Sequence, residues 1–315
     1  MIVHRGIPLK TKINSPVLSI GTFDGVHIGH QQILQRLIEK AKEIGGESCL
    51  ISFDPHPRHV LNKKSTMGLL QTLDEKIEAL REVGIDHLIL IPFTRSFAEM
   101  EAENYIADVL VSNLHPHTII IGYDHQFGRN RQGNFDLLYK LKSKYHYELE
   151  EIPAHEIERS AVSSTQIRSA LLDGDIQKTT LLLGRPYRID GTVIHGDGRG
   201  AQIGFPTANI RISDRAKLLP ATGVYAVGVI VENILYKGMM NIGTRPTFYH
   251  EGSTSIEVHL LDTKIDLYGK NLQCIFTSKL RDEKKFASIE ELKSQLEIDQ
   301  QQTRLYCHDN FIFKT

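Results

Sequence analysis

The chain has 315 residues, which at about 100–200 residues per domain predicts two domains. Hydrophobic residues make up 41% of it and charged residues 24%, a globular composition that excludes disorder and fibrous repeats. Because 37 Lys and Arg residues are balanced by 38 Asp and Glu residues, the formal charge is only −1. We therefore expect no nucleic-acid partner, since such binding depends on bulk positive charge.

The sequence also predicts a cytoplasmic protein with no membrane partner. Its longest apolar stretches, such as residues 224–231, fall well short of the roughly 20 residues that cross a bilayer. Residues 1–10 lack the apolar core of a secretion signal. The three cysteines, Cys49, Cys274 and Cys307, are odd in number and widely spaced, which is typical of reduced thiols.

Strand and helix patterns alternate through the first half of the chain. The strand patterns cover residues 17–23, 48–53, 88–91 and 118–121, and the helical patterns cover residues 30–44, 72–84 and 104–114. Strands separated by helices predict a doubly wound parallel sheet of the α/β class with right-handed crossovers. Ligands of such sheets collect at the carboxyl ends of the strands.

The pattern changes after two further helical segments, Ser164–Leu172 and Ile176–Leu183. Gly184-Arg185-Pro186 interrupts it, so we place the domain boundary there and predict domains at 1–183 and 184–315. Short β-rich runs separated by turn residues follow at 187–194, 224–231, 256–261 and 272–276. They predict an antiparallel β-barrel, and the last segment predicts a terminal helix.

Two helix starts have the sequence of a capping box. Thr72 is followed by Glu75, and Ser288 is followed by Glu291, each at the spacing in which the two side chains cap each other's backbone amides. These pairs predict helices that begin directly after Thr72 and Ser288.

The segment GTFDGVHIGH (21–30) lies where the first strand leads into the first helix. Amides at a helix N-terminus carry the positive end of the helix dipole, and glycines such as Gly25 and Gly29 let a phosphate approach the backbone closely. His27 and His30 are three residues apart, so on a helix they share a face and can donate to one polyphosphate. The alternative is a polar but ordinary helix start. The glycines and the strand-to-helix context favour phosphate binding.

A second helix start carries Ser164 and Thr165, with Arg168 one turn further on. Taken alone this helix start is mainly an N-cap, but its hydroxyls and guanidinium could bind the same polyphosphate as His27 and His30. The pair His-x-Gly-His and Ser-Ser-Thr-x-x-Arg is similar to the paired signature of the nucleotidyltransferase superfamily. The sequence contains neither a P-loop motif nor the His-Arg-Asp of protein kinases.

The second half contains two candidate segments for binding nucleotide phosphates. Gly196 and Gly198 lie in a loop flexible enough to fold around phosphates, although glycine-rich turns in barrels are often only turns. Thr207 and Asn209 are two residues apart, so on a strand their side chains point the same way. Their hard oxygens suit Mg²⁺ that bridges nucleotide phosphates.

Glu257 is a candidate general base. Alternation along residues 255–260 puts Glu257 and His259 on one face of a strand, with Ile256 and Val258 on the other. A carboxylate that points out of a barrel strand can accept the proton of a hydroxyl nucleophile. The alternative is a solvated strand face with no catalytic role.

Taken in order, these segments resemble the bacterial bifunctional riboflavin kinase/FMN adenylyltransferases, also called FAD synthetases. The resemblance covers nearly the whole chain and is carried by GTFDGVHIGH, SFDPHP, IGYDHQFGRNRQG, SSTQIR, GRPYRIDGTVIHG, IGFPTANI, NIGTRPTF, DLYGK and LRDEKKF. It implies that the barrel phosphorylates riboflavin with ATP to give FMN. It also implies that the N-terminal domain transfers AMP from a second ATP to FMN, giving FAD and pyrophosphate.

For the kinase module the resemblance implies roles for four residues. Thr207 and Asn209 match the family's residues for Mg²⁺ and nucleotide, and Glu257 matches its catalytic base. Arg281 falls in a segment that forms a loop near the flavin in the family.

For the adenylyltransferase module the resemblance implies an ATP-binding and transition-state set. Its members here are His27, His30, Ser164, Thr165 and Arg168. Asp124 and Phe127 lie in the segment that lines the flavin side. His125 and Gln126 depart from the family, which often has Phe and Arg there.

The expected partners are riboflavin, FMN and ATP, in a monomer or weak homo-oligomer. Alternatives are the same scaffold with only one active module, a flavin-binding regulator without turnover, and a nucleotidyltransferase for another substrate. The intact candidate residues argue against a regulator, and the attached barrel argues against another substrate.

Overall fold

The computed structural model describes residues 1–7, 12–62, 67–153, 162–196, 199–245, 253–263 and 265–307. The chain forms two compact units, Met1–Ser164 and Thr165–Thr315. The predicted domains, 1–183 and 184–315, stay a prediction.

The first unit contains a six-stranded sheet in the order β1-β4-β3-β2-β5-β6, in which every neighbouring pair is parallel. The strands are β1 (Ile2–Arg5), β2 (Val17–Ile20), β3 (Ser48–Asp54), β4 (His87–Pro92), β5 (Thr118–Gly122) and β6 (Glu148–Ile152). The four predicted strands are its centre. The two edge strands, β1 and β6, were not predicted.

Helices cover both faces of this sheet, which confirms the doubly wound α/β prediction. They are α1 (Ile28–Ile44), α2 (Pro57–Leu61), α3 (Leu73–Val83), α4 (Arg95–Ala98), α5 (Ala102–Asn104), α6 (Ser112–Leu114) and α7 (Phe135–Tyr145). Ile119 and Ile121 of β5 belong to the core on one face, and Ile120 belongs to the core on the other. Burial on both faces explains why the central strands are continuous apolar runs.

The predicted capping box at Thr72 is formed. The Thr72 hydroxyl accepts from the Glu75 amide at 3.2 Å, and the Glu75 carboxylate accepts from the Thr72 amide at 3.0 Å. Gly84 ends α3 in the left-handed region, at φ 92°. The sequence therefore predicted both ends of α3, the capping box at its start and the glycine at its end.

The helical segment predicted at 104–114 contains an unpredicted feature. A π-helix, Tyr105–Val111, lies between α5 and α6. Single π-helical turns are frequent at functional sites. Here the π-helix buries Tyr105, and burial raises the pKa of its hydroxyl.

The second unit is a closed six-stranded antiparallel barrel in the order β10-β11-β8-β7-β12-β9, which confirms the predicted architecture. Its strands are β7 (Arg188–Ile194), β8 (Ala208–Ile212), β9 (Gly223–Val231), β10 (Ile234–Arg245), β11 (Ser253–Leu260) and β12 (Asn271–Arg281). Its helices are α8 (Ser164–Leu172, whose first residue belongs to the first unit), α9 (Ile176–Leu183), α10 (Arg199–Gln202) and the terminal α11 (Ile289–Tyr306). Strands β8 and β10 were not predicted.

Helix α11 packs on the outside of the barrel, against β9, β10 and β12. Since β9 also faces the barrel interior, nearly all of its residues are buried. Ser288 caps α11, as predicted, by accepting from the Glu291 amide at 3.1 Å. The Glu291 carboxylate accepts from the amide of Ala287, one residue earlier than the predicted capping box requires.

Candidate functional sites

The Gly21–His30 turn connects the carboxyl end of β2 to the start of α1. Its backbone enters the left-handed region at Phe23 (φ 46°), Gly25 (φ 97°) and Val26 (φ 39°). A β-branched residue such as Val26 rarely adopts this conformation. Strain of this kind persists only where surrounding contacts impose it, and it concentrates at ligand-binding sites.

The structure brings His27 and His30 together on this turn. His27 is the N-cap of α1, and its Nδ1 accepts from the His30 amide at 3.3 Å. The two rings are stacked with centroids 3.6 Å apart. Because Nδ1 of His27 is an acceptor, the neutral ring carries its proton on Nε2. The pair therefore offers imidazole donors at the positive end of α1, where an anion binds favourably.

Neighbouring segments fix this turn in place. The buried Asp24 carboxylate accepts from the backbone amides of Leu70 and Gln71 at 3.0 and 3.2 Å. The Ser164 hydroxyl donates to the Asp24 carbonyl at 2.9 Å, so this predicted residue lies beside the turn. Thr165 and Arg168 belong to the second unit, and their predicted roles stay predictions.

Gly25 and Gly29 lie within the turn and the first turn of α1, and both are buried. The phosphate contacts expected of their backbone stay predictions.

The proposed flavin side is built around Phe127, which is 8% exposed. Phe127 and Gly133 exchange two backbone hydrogen bonds, at 3.0 and 2.9 Å, and a Cβ at Gly133 would overlap the Phe127 ring. Asp124 is exposed beside it. A continuous series of ring contacts involves Phe53, Phe93, Phe97, Tyr105, His125 and Phe127. These rings form an aromatic layer suited to a flat, conjugated ligand.

The barrel site brings together the three residues predicted for kinase chemistry. Glu257 on β11 is paired in register with Asn209 on β8. The Thr207 hydroxyl, just before β8, donates to a Glu257 carboxylate oxygen at 3.1 Å. As predicted, Ile256 and Val258 are buried, whereas Glu257 and His259 are half-buried on the other face.

Gly196 permits close packing at this site, because a Cβ there would collide with the side-chain amide of Asn209. Gly198, the second glycine predicted to bind phosphate, lies outside the described residues. The hydroxyl, amide and carboxylate oxygens of Thr207, Asn209 and Glu257 form a donor set that fits Mg²⁺. No cluster of three or more His, Cys, Asp or Glu residues arranged to hold a metal occurs among the described residues.

Arg281 differs from the expectation. It is the last residue of β12 and not part of a loop. Its Nη2 and Nε donate to the buried Asp299 carboxylate of α11 at 2.8 and 3.0 Å, and this ion pair holds the strand end against the terminal helix. Its proposed contact with flavin stays a prediction.

The sequence did not indicate a role for two residues near these sites. His259 was placed beside Glu257, but its contact with Pro206, 2.8 Å from Nδ1 to the carbonyl oxygen, was not foreseen. No motif in the sequence singles out Lys76, which is buried and donates to the Thr22 carbonyl of the Gly21–His30 turn. The one signal that could have found Lys76 is a cation directly after a capping box, where the helix dipole disfavours it.

Separate clusters suited to phosphate chemistry in two units are typical of an enzyme with two group-transfer modules that act on nucleotides. A family model for FAD synthetase matches residues 9–166, and one for riboflavin kinase matches residues 183–307.

Curated relatives cover almost the whole chain. The bifunctional riboflavin kinase/FMN adenylyltransferase of Pseudomonas fluorescens is 38% identical over 300 residues, 95% of this chain and 96% of the relative. That of Escherichia coli (strain K12) is 39% identical over 285 residues, 90% of each. A solved structure described as a macrolide-efflux protein from Streptococcus pneumoniae has a TM-score of 0.86 at 30% identity, covering 96% of this chain and 99% of that one.

The chain therefore belongs to the family of bifunctional riboflavin kinase/FMN adenylyltransferases. It phosphorylates riboflavin to FMN and adenylylates FMN to FAD, with ATP as co-substrate of both reactions. The predicted resemblance and the predicted enzyme class are confirmed. In the part of the chain that is described, no helix is both long and apolar enough to span a bilayer.

Proposed function

We propose that the two activities use the two sites described above, with adenylyl transfer at the Gly21–His30 turn and riboflavin phosphorylation at the Glu257 cluster. The observation that carries this proposal is the separation of the clusters: the stacked histidines lie in the first unit, and the Thr207–Glu257 contact lies in the second. The positions of the two family models support the same division.

In the kinase reaction, Glu257 accepts the proton of the ribityl 5′-hydroxyl, and the resulting oxygen attacks the γ-phosphorus of ATP. A P–O bond forms to riboflavin as the bond to the β-phosphate oxygen of ADP breaks. Thr207 donates to the Glu257 carboxylate and so fixes its orientation before substrate arrives. Preorganisation of this kind provides most of the catalysis in phosphoryl transfer.

Thr207 and Asn209 would hold Mg²⁺ together with the nucleotide phosphates. When bound, the metal neutralises phosphate charge. Asn209 is positioned by its strand register opposite Glu257, and Gly196 leaves room for its side chain. The site therefore combines a proton acceptor, Glu257, with two neutral oxygen ligands, Thr207 and Asn209. All three lie on or next to the paired strands β8 and β11.

In the adenylyl reaction, an FMN phosphate oxygen attacks the α-phosphorus of ATP directly, and pyrophosphate leaves. His27 and His30, with Arg168, stabilise the charge that develops, while Ser164 and Thr165 contact the phosphates and Gly25 and Gly29 admit them to the backbone. Removing one well-placed donor commonly lowers such rates by about 10²–10³. No covalent enzyme intermediate forms, so a labelled AMP–enzyme adduct would overturn this mechanism.

The flavin ring would lie on the aromatic layer that includes Phe127, with Asp124 at its exposed edge. Gly198 and Arg281 complete the proposed set on the kinase side. The protein would act in the cytoplasm as a monomer or weak homo-oligomer, without a nucleic-acid partner.

Two variants test the division of labour. We expect Glu257→Gln to abolish FMN formation from riboflavin while FAD formation from supplied FMN continues. His27→Ala should give the reverse pattern. Chromatographic separation of riboflavin, FMN and FAD after incubation with ATP and Mg²⁺ measures both reactions, and each variant's intact reaction is the control for folding. Loss of both activities in one folded variant would contradict the two-site proposal, and absence of one reaction in the unmodified protein would favour a single active module.

A further inference from the structure

Lys76 is a buried lysine that neither proposed reaction uses. It lies in the first turn of α3 and is 7% exposed. Its Nζ donates to the Thr22 carbonyl at 3.1 Å and to the Ser52 hydroxyl at 3.3 Å. Thr22 is the second residue of the Gly21–His30 turn, so the ammonium group contacts the start of the turn that carries the proposed phosphate site.

This position is unfavourable for a lysine. The first turn of a helix is the positive end of its dipole and disfavours a cation. Burial lowers the pKa of Lys76, although the Asp24 and Asp54 carboxylates act in the opposite direction. A buried charge of this kind is weak evidence for stability, because an apolar side chain of similar size is often tolerated as well or better. A role in function accounts for its presence more directly.

The contacts of Lys76 fix the entry to the turn. The Ser52 hydroxyl also donates to the Thr22 carbonyl, at 3.2 Å, so one backbone oxygen receives two donors from β3 and α3. Directly after Thr22, the backbone enters the left-handed region at Phe23. Strained backbone keeps its conformation only where its surroundings over-determine it. The hydrogen bonds of Lys76 and Ser52 to the Thr22 carbonyl are part of the contacts that hold this backbone in place.

We propose that Lys76 is a positioning residue for adenylyl transfer: it holds Thr22, and through it the Gly21–His30 turn, in the conformation that receives the triphosphate of ATP. This inference rests on the proposed assignment of adenylyl transfer to this turn.

The test compares Lys76→Met with Lys140→Met, a control at an exposed lysine of α7 in the same unit. Steady-state assays measure the kcat and the KM for ATP in FMN adenylylation. For Lys76→Met we expect the KM for ATP to rise at least tenfold and kcat/KM to fall about 10²-fold, the loss typical of a small misplacement of reacting groups. Riboflavin phosphorylation in the same polypeptide and the Tm should stay close to those of the unmodified protein.

Ser52→Ala is a second variant that removes half of the tether with a smaller change in volume. It should shift the KM for ATP in the same direction by a smaller factor. The proposal is overturned if Lys76→Met adenylylates FMN with an unchanged KM and kcat. It is also overturned if Lys76→Met fails to fold while folded Ser52→Ala has unaltered kinetics. His27→Ala in the same assay tests the site assignment separately. Full activity in that variant would refute the assignment on which this proposal rests, whereas lost activity in His27→Ala with normal kinetics in Lys76→Met would refute only the role of the lysine.

Discussion

His125 should make the stability of the protein depend on pH below neutrality. Its Nε2 is buried and has no hydrogen-bond partner among the residues that the structure describes. The centroid of its ring lies 5.8 Å from the centroid of the Phe127 ring. Burial lowers the pKa of His125 from its ordinary 6.5 to about 4, against a smaller opposite effect of Asp124. His125 therefore binds a proton more weakly in the folded protein than in the unfolded chain.

The sign and size follow from this difference in pKa. Neutral His125 contributes fully to the free energy of unfolding above about pH 6.5. This contribution is lost as the pH falls toward about 4, because the unfolded state binds the proton at a higher pH than the folded state does. Between about pH 8 and about pH 5, the loss amounts to about 2 kcal/mol. His125→Phe should remove this part of the pH dependence, since phenylalanine fills the aromatic layer without titrating.

The assay is urea unfolding at the two pH values, followed by circular dichroism because the chain contains no tryptophan. The decrease in unfolding free energy from the higher to the lower pH should be about 2 kcal/mol smaller in His125→Phe than in the unmodified protein. His117→Gln, at an exposed histidine of the same unit, is the control and should keep the original pH dependence. An unchanged pH dependence in His125→Phe, or an NMR titration of His125 near pH 6.5, would refute the reasoning.

Three further predictions concern the barrel unit. His259→Leu should lower kcat/KM for riboflavin phosphorylation about tenfold or more, because the Pro206 carbonyl before β8 loses its hydrogen-bond donor. His259→Asn keeps a nitrogen donor and should restore most of the lost kcat/KM. Equal kinetics in the two variants would count against this role. Gly196→Ala should weaken ATP binding to the kinase site, because the methyl group displaces the Asn209 amide; a normal KM for ATP would contradict it. Asp299→Ala removes the carboxylate partner of the Arg281 guanidinium and should destabilise the barrel by about 3–5 kcal/mol, measured by thermal unfolding. An unchanged Tm would show that the pair contributes little.

The sequence predicted those elements whose signal is local. The central strands were recognisable because burial on both faces makes them continuous apolar runs, as at residues 118–121. Strand β10 contains Gly238 and Gly243 and several polar residues, so neither alternation nor an apolar run marks it. The π-helix at Tyr105–Val111 leaves the helical spacing of apolar residues nearly unchanged, which is why a helix was predicted there without it.

The candidate sites show the same distinction. Strand alternation predicted that Glu257 and His259 lie on the face opposite Ile256 and Val258, and the structure shows this arrangement. The roles assigned to Thr207, Asn209 and Glu257 stay predictions. The contact of Lys76 with Thr22 joins residues 54 positions apart, and that of His259 with Pro206 joins residues 53 apart. Such contacts depend on how strands and helices pack, and no local pattern reports them.

Strand β6 is the last strand of the parallel sheet as described, so one row of its backbone groups is left without a neighbouring strand. Its sequence, ELEEI, contains Glu148, Glu150 and Glu151. A second copy of the chain that added its own β6 here would bring carboxylates of the two strands close together, and like charges opposite each other oppose pairing. The ion pairs of Glu148 with Lys142 and of Glu150 with Arg36 reduce this effect, and they leave exposed Glu151 as the main contributor. The acidic border thus disfavours pairing of this edge with a second copy of the strand.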